Sequence, residues 1–334
     1  MKNHKTGTAL LCAVCLVAFL AQSASTQQKA VRSGVQVHLV ITDAALRDDA
    51  DLPRLQQKDD VKVKQGKNFL NVTQLIPFQG ENAALQLMIL IDDTLNTSIG
   101  NSLTDIKEFI AAQPATTIIG VAYMSNTTIQ IVQNFTADHD LAVKAVRLPR
   151  GSLSAMDSPY LSLISLAKGW PQQNVRRAVL MVTDGIDRLH GERPEPSRMG
   201  PRMGPVYHSM PTISVDASSA SEVCQRYNIL VFSIYGAGVG RAGRGSWDLQ
   251  LGLSGLDKIA DETGGECFAL STSQLVSFKP YLERLQKMLS NQYYVVFQAV
   301  PGKKAGLQRV KIETGLKNSE ILAPDNAWVP VPNK

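Results

Sequence analysis

The stretch "LMILIDDTLNTSIG", residues 87–100, decides how this chain is read. Its first five residues are apolar without alternation, the pattern of a strand buried on both faces of a parallel sheet. The run then stops at two adjacent aspartates, followed by Thr94, Asn96, Thr97 and Ser98. In an open α/β sheet, ligands sit at the carboxyl ends of the strands. So much oxygen at a strand end is either a polar turn with a helix cap or a set of hard ligands for a cation.

Working outward, strand and helix patterns alternate. "LTDIKEFIAAQ" places Leu103, Ile106, Phe109 and Ile110 on one helical face. "TTIIGVAYM" and "TTIQIVQNF" read as strands close enough to pair, and "DLAVKAVRL" as a helix. Ser158 followed by Pro159 opens the helix "YLSLISLAKGW", with serine at the N-cap and proline at the first helical position. "RRAVLMVTDG" and "ILVFSIYG" are two further buried strands, with helices after each and a long amphipathic helix at "FKPYLERLQKML". This alternation predicts a doubly wound, mostly parallel α/β sheet over residues 85–290.

The flanks have a different texture. Residues 34–80 contain the alternating "VQVHLVIT" and the hairpin-like "DVKVKQGKNFLNVTQLIPF". Residues 291–334 return to strands at "QYYVVFQAV" and "LQRVKIET". Two short β segments at opposite chain ends lack separate cores, so they are expected to pack together as one small β-sandwich. Residues 188–214, with the near-repeat "RMGPRMGP", show no period and read as a long mobile loop.

Residues 1–25 carry Lys2, His4 and Lys5 ahead of "ALLCAVCLVAFLA" and the small residues of "AQSAS". This is the pattern of a secretory signal peptide, and it predicts export to a periplasmic or extracellular space without stable membrane insertion afterwards. Removing Lys2 and Lys5 with it leaves 32 basic against 29 acidic residues, a balance of about +3. That is too mild to point to nucleic acid. Export leaves Cys224 and Cys267, for which one disulfide and two buried thiols are both open.

Asp92 and Asp184 each end a buried strand, and Ser158 caps the helix that leads into the second one. With Thr94 and Asn96 they offer carboxylate, hydroxyl and amide oxygens suited to magnesium, manganese or calcium rather than zinc. The lone "GVGRAG" of residues 238–243 fits a dinucleotide fingerprint only formally, because its strand comes late and Arg241 interrupts the glycines. No Gly-x-Ser-x-Gly turn or His-Glu-x-x-His helix supports a hydrolase, and His38, His139, His190 and His208 are scattered.

"LMILIDDTLN", "SPYLSLISLAKGWP" and "RRAVLMVTDGIDR" together resemble a von Willebrand factor A domain, and more narrowly the secreted acidobacterial branch of that family. The resemblance implies a metal-ion-dependent adhesion site. On that pattern Asp92 matches the first aspartate, Thr94 the first serine and Asn96 the second serine. Ser158 matches the threonine, with Ser152 as the fallback, and Asp184 the last aspartate. Asn96 is the main departure, since its longer amide moves the ligand oxygen. The family reading is an exported, non-enzymatic binding module. A magnesium or manganese ion, with calcium as the third choice, would be completed by a carboxylate from a protein partner. The alternatives are a metal-free interaction scaffold with a degenerate site and, from another class, a hydrolase.

Overall fold

A computed structural model describes residues 34–44, 55–151, 157–171, 175–190, 196–197, 206–207, 213–236, 246–268, 277–316 and 319–331. Residues 1–33, Ser152, most of the 188–214 segment and residues 238–243 lie outside these residues. Four strands come first: β1 (Val35–Asp43), β2 (Val61–Gln65), β3 (Asn68–Leu70) and β4 (Val72–Pro77). The next elements are β5 (Leu85–Asp92), α1 (Gly100–Ala111), β6 (Thr117–Ser125), β7 (Thr128–Thr136), α2 (His139–Ala145), α3 (Pro159–Gly169) and β8 (Arg176–Thr183). After β9 (Pro196–Ser197) and β10 (Val206–Tyr207) come α4 (Val215–Arg226), β11 (Ile229–Tyr235), α5 (Ser246–Thr263), β12 (Cys267–Phe268) and α6 (Lys279–Ser290). The last strands are β13 (Gln292–Ala299), β14 (Gly306–Thr314), β15 (Ile321–Leu322) and β16 (Asn326–Val329).

The main sheet has the order β12-β11-β8-β5-β6-β7, parallel except for β7. All eight residues of β5 are buried, and so are all eight of β8. The pleat explains why neither strand alternates in sequence. Leu87, Ile89 and Ile91 point to one face, into a core with Leu103, Ile106 and Phe109 of α1 and Leu285 and Met288 of α6. Met88 and Leu90 point to the other, against Tyr160 and Leu163 of α3, Ala220 of α4 and Ile259 of α5. The chain leaves β5 to one side for β6 and returns on the other as β8, so the order reverses at β5. Their carboxyl ends border the crevice where open α/β sheets hold ligands.

Both chain ends build the second half. One sheet runs β15-β1-β13-β4 and the other β16-β14-β2-β3. β1 pairs with β13 over eight residues, from Val35 opposite Ala299 to Thr42 opposite Gln292. Val37, Leu39 and Ile41 share a core with Val295 and Phe297 of β13, Val63 of β2 and Val310 of β14. Val40, on the opposite face of β1, packs with the α/β core instead. The β1–β13 sheet is therefore a shared layer, which accounts for the loss of alternation late in β1.

The 188–214 segment, expected from sequence to be a long mobile loop, holds one short strand pair among its described residues. Within it β9 and β10 pair antiparallel, Ser197 opposite Val206 and Pro196 opposite Tyr207. Two-residue strands are too short to leave a periodic signal. Cys224 and Cys267 are both free thiols. No helix among the described residues is long and apolar enough to cross a membrane.

Candidate functional site

Because β5 and β8 are parallel neighbours with Ile91 opposite Val182, Asp92 emerges beside Thr183 and Asp184. The Thr183 hydroxyl donates to Asp92 Oδ2 at 2.7 Å. Asp92 Oδ1 accepts from the Thr94 amide at 2.9 Å and from the Thr94 hydroxyl at 2.7 Å. All four side chains are buried. Burial pushes the Asp92 carboxyl up to about 6, the Asp184 charge adds to the rise, and the Thr183 and Thr94 hydrogen bonds oppose it.

Asp184 is fully buried and engaged from within its own turn. Its Oδ1 accepts from the Ile186 amide at 2.9 Å, and its Oδ2 from Arg188 Nη2 at 2.7 Å. The Arg188 side chain is only 3% exposed. Burial alone would lower its pKa, but the Asp184 and Asp92 charges outweigh that and hold it above the ordinary value. The Arg188 amide also donates to the Asp157 carbonyl at 2.7 Å. Gly185 makes this tight return feasible. It has φ +67°, and a Cβ there would stand 2.4 Å from the Gly252 carbonyl of α5.

The other residues predicted from sequence go elsewhere. Asn96 is exposed, and its Oδ1 accepts from the Ser98 amide at 2.8 Å, capping a short 3₁₀ turn. Ser158 stands at the N-cap of α3, but its hydroxyl makes no cap bond and donates over a long 3.4 Å to Asp216 Oδ2. Asp93 turns away from Asp92. Its carboxylate takes Arg147 Nη1 at 2.7 Å, Arg147 Nη2 at 3.1 Å and the Arg150 amide at 2.9 Å. Burial would raise Asp93, but these Arg147 and Arg150 contacts bring it below the ordinary carboxylate value.

Sequence reasoning missed a second cluster. Asp187, His190 and Asp216 bring one ligand atom each within 4.8 Å of one another. Asp187 Oδ1 accepts from the Leu189 and His190 amides at 3.0 and 2.9 Å, and the Ser214 hydroxyl donates to its Oδ2. His190 Nδ1 lies 2.7 Å from Asp216 Oδ2, and that carboxylate raises the pKa of the exposed imidazole. The available signal was local: "TDGIDRLH" places an acid and a histidine three residues apart in one turn.

Of the five residues in the cation set, Asp92, Thr94 and Asp184 converge, Asn96 does not, and Ser158 points to Asp216. The oxygens of Asp92 already accept three hydrogen bonds, and Asp184 already faces a guanidinium. A divalent ion needs several oxygens turned inward and their negative charge uncommitted. As arranged, these residues do not fit one, because Arg188 supplies the positive charge.

No family model matches the chain, and no curated protein sequence does. Solved von Willebrand factor A domains are among its structural neighbours. A von Willebrand factor type A protein from Catenulispora acidiphila is 10% identical, covering 88% of this chain and 74% of its own, with a TM-score of 0.43. An aerotolerance-related membrane protein from Bacteroides fragilis is 14% identical, covering 62% and 98%, at 0.40. The pilus adhesin SpaC from Lactobacillus rhamnosus GG is 9% identical, covering 85% of this chain and 48% of its own, at 0.43. The fold assignment rests on the strand order and direction of the main sheet.

Proposed function

We propose that this chain is an exported interaction module that meets a protein partner with the carboxyl edge of its main sheet. The observation that carries this reading is the cluster at the switch point between β5 and β8. There Asp92, Thr94, Thr183, Asp184 and Arg188 satisfy one another. Charged groups locked to each other shape and stiffen a surface.

The neighbouring cluster lends the hydrolase alternative no support. A serine nucleophile needs the histidine between itself and the acid. Here the Ser158 hydroxyl and His190 Nδ1 both face Asp216 Oδ2, so the acid stands between the other two.

Outside this buried set, the edge offers exposed groups that a partner can touch. His190 is exposed, and Val215, the first residue of α4, is 69% exposed. Of the two binding modes, a cation bridge through magnesium, manganese or calcium and a metal-free contact, the Arg188 pairing favours the second. The N-terminal pattern of residues 1–25 supports export.

Affinity capture from the exported protein fraction, using the mature chain as bait, tests this function. The same partner should be retained with and without EDTA and lost with the double variant His190→Ala/Val215→Glu. Retention by the double variant would remove this face from the reading. Loss on adding EDTA would replace the metal-free mode with the cation bridge.

A further inference from the structure

We propose that the Arg188 guanidinium is the resident cation of this strand-end site and takes the place of a divalent metal ion. Three observations carry this. The guanidinium stands 2.7 Å from Asp184 Oδ2, with both side chains almost wholly withdrawn from water. The Arg188 backbone amide donates to the Asp157 carbonyl at 2.7 Å, and Asp184 lies at the end of the strand paired with that of Asp92, so the side chain sits within an acidic cluster rather than beside one partner. Its buried Nε has no hydrogen-bond partner among the described residues. Arg147 grips the carboxylate of Asp93 with two nitrogens, whereas Arg188 reaches Asp184 Oδ2 through Nη2. Here charge and volume hold the group in place, which is the role of an ion.

The local chain explains how the arginine arrives. Asp184 and Arg188 are four residues apart, across a turn that Gly185 tightens against Gly252. The Arg188 amide is tied to the Asp157 carbonyl, so the side chain starts out beside the carboxylates. A divalent ion on Asp184 would share a single carboxylate with this guanidinium, two like charges in a site closed to water. The two cations are therefore mutually exclusive. With the guanidinium gone, Asp92, Thr94 and Asp184 remain as three oxygen donors on one side, with the rest of an octahedral shell left to water. The substitution of a side chain for a metal removes chelator sensitivity and makes the site independent of ion supply.

Manganese is the probe, because its free ion is counted directly by its paramagnetic resonance signal. The mature wild-type chain should bind no Mn²⁺ at the site up to millimolar concentrations. Arg188→Met should bind it at least ~100-fold more tightly than wild type, and Asp184→Asn/Arg188→Met should lose that gain. Submillimolar binding by wild type that Asp184→Asn removes would overturn the proposal, since the two cations would then coexist. A folded Arg188→Met chain that binds no Mn²⁺ would overturn it equally. Where Arg188→Met fails to fold alone, refolding with Mn²⁺ decides: recovery of structure supports the substitution, and failure to recover overturns it. The measurement needs no partner, so it stands or falls separately from the partner capture.

Discussion

Removing the arginine from the strand-end cluster should cost stability in a way that a second change repairs. The Arg188 side chain is 3% exposed and that of Asp184 not at all, so water screens the pair only weakly. Two unit charges about 4 Å apart attract by ~4 kcal/mol at an effective dielectric near 20. Breaking a buried pair by deleting one partner typically costs ~3–5 kcal/mol, because a charge is left behind without compensation. Arg188→Met leaves Asp184 and Asp92 together with no cation, and should lose that amount. Asp184→Asn leaves the guanidinium facing Asp92 and keeps an oxygen for the Ile186 amide, so it should lose only ~1–3 kcal/mol. Asp184→Asn/Arg188→Met removes both charges, and the methionine keeps the packing of the arginine's stem while leaving the place of the guanidinium head open. It should lose less than the two single changes added together, with a coupling of at least ~2 kcal/mol. Urea unfolding of the four proteins at pH 7 measures this, as midpoints at an unchanged m-value. Additive losses, or an Arg188→Met chain within ~1 kcal/mol of wild type, would refute the internal ion pair.

Asp92 makes stability depend on pH. Its carboxyl titrates near 6 in the fold against an ordinary 3.8, so the contribution is fully present below about pH 4 and is lost as pH rises through 6. The loss should approach ~2–3 kcal/mol and shrink in Asp92→Asn. Urea midpoints between pH 4 and 7 with equal slopes in both proteins would contradict it. Burial raises the Cys224 thiol to about 12, so a disulfide reagent at pH 8 should leave it untouched until urea is added. Rapid labelling of native Cys224 would show an open core. Ending the chain at residue 290 removes β13, and amide exchange along β1 should then accelerate by several orders of magnitude. Unchanged protection there would mean that β1 does not need the C-terminal strands.

How much was legible in the sequence follows from what periodicity encodes. The continuous apolar runs of β5 and β8 report that both faces of each strand are covered, and that is enough to infer a doubly wound sheet. An acid directly after such a run must emerge at the sheet's carboxyl edge, so Asp92 and Asp184 could be placed together before any coordinates existed. The alternating flanks, each with too few strands for a core, implied a shared sandwich by the same logic. What lies beyond Cβ was settled only by the tertiary structure. Asn96 had the spacing of a ligand, but an exposed amide next to unpaired turn amides is satisfied more cheaply by capping Ser98. Ser158 kept the position of a cap, while its hydroxyl went to Asp216, 58 residues further along the chain. Arg188 was read only as the first residue of a loop, because nothing in its local sequence signals burial. Its burial depends on Gly185 closing against Gly252 from α5, a contact made by a helix more than sixty residues away in sequence. Backbone pattern tells which residues reach the site. The long side chains then choose among partners that only the packed fold brings within reach, and that choice paired Arg188 with Asp184, a carboxylate that the sequence had offered to a cation.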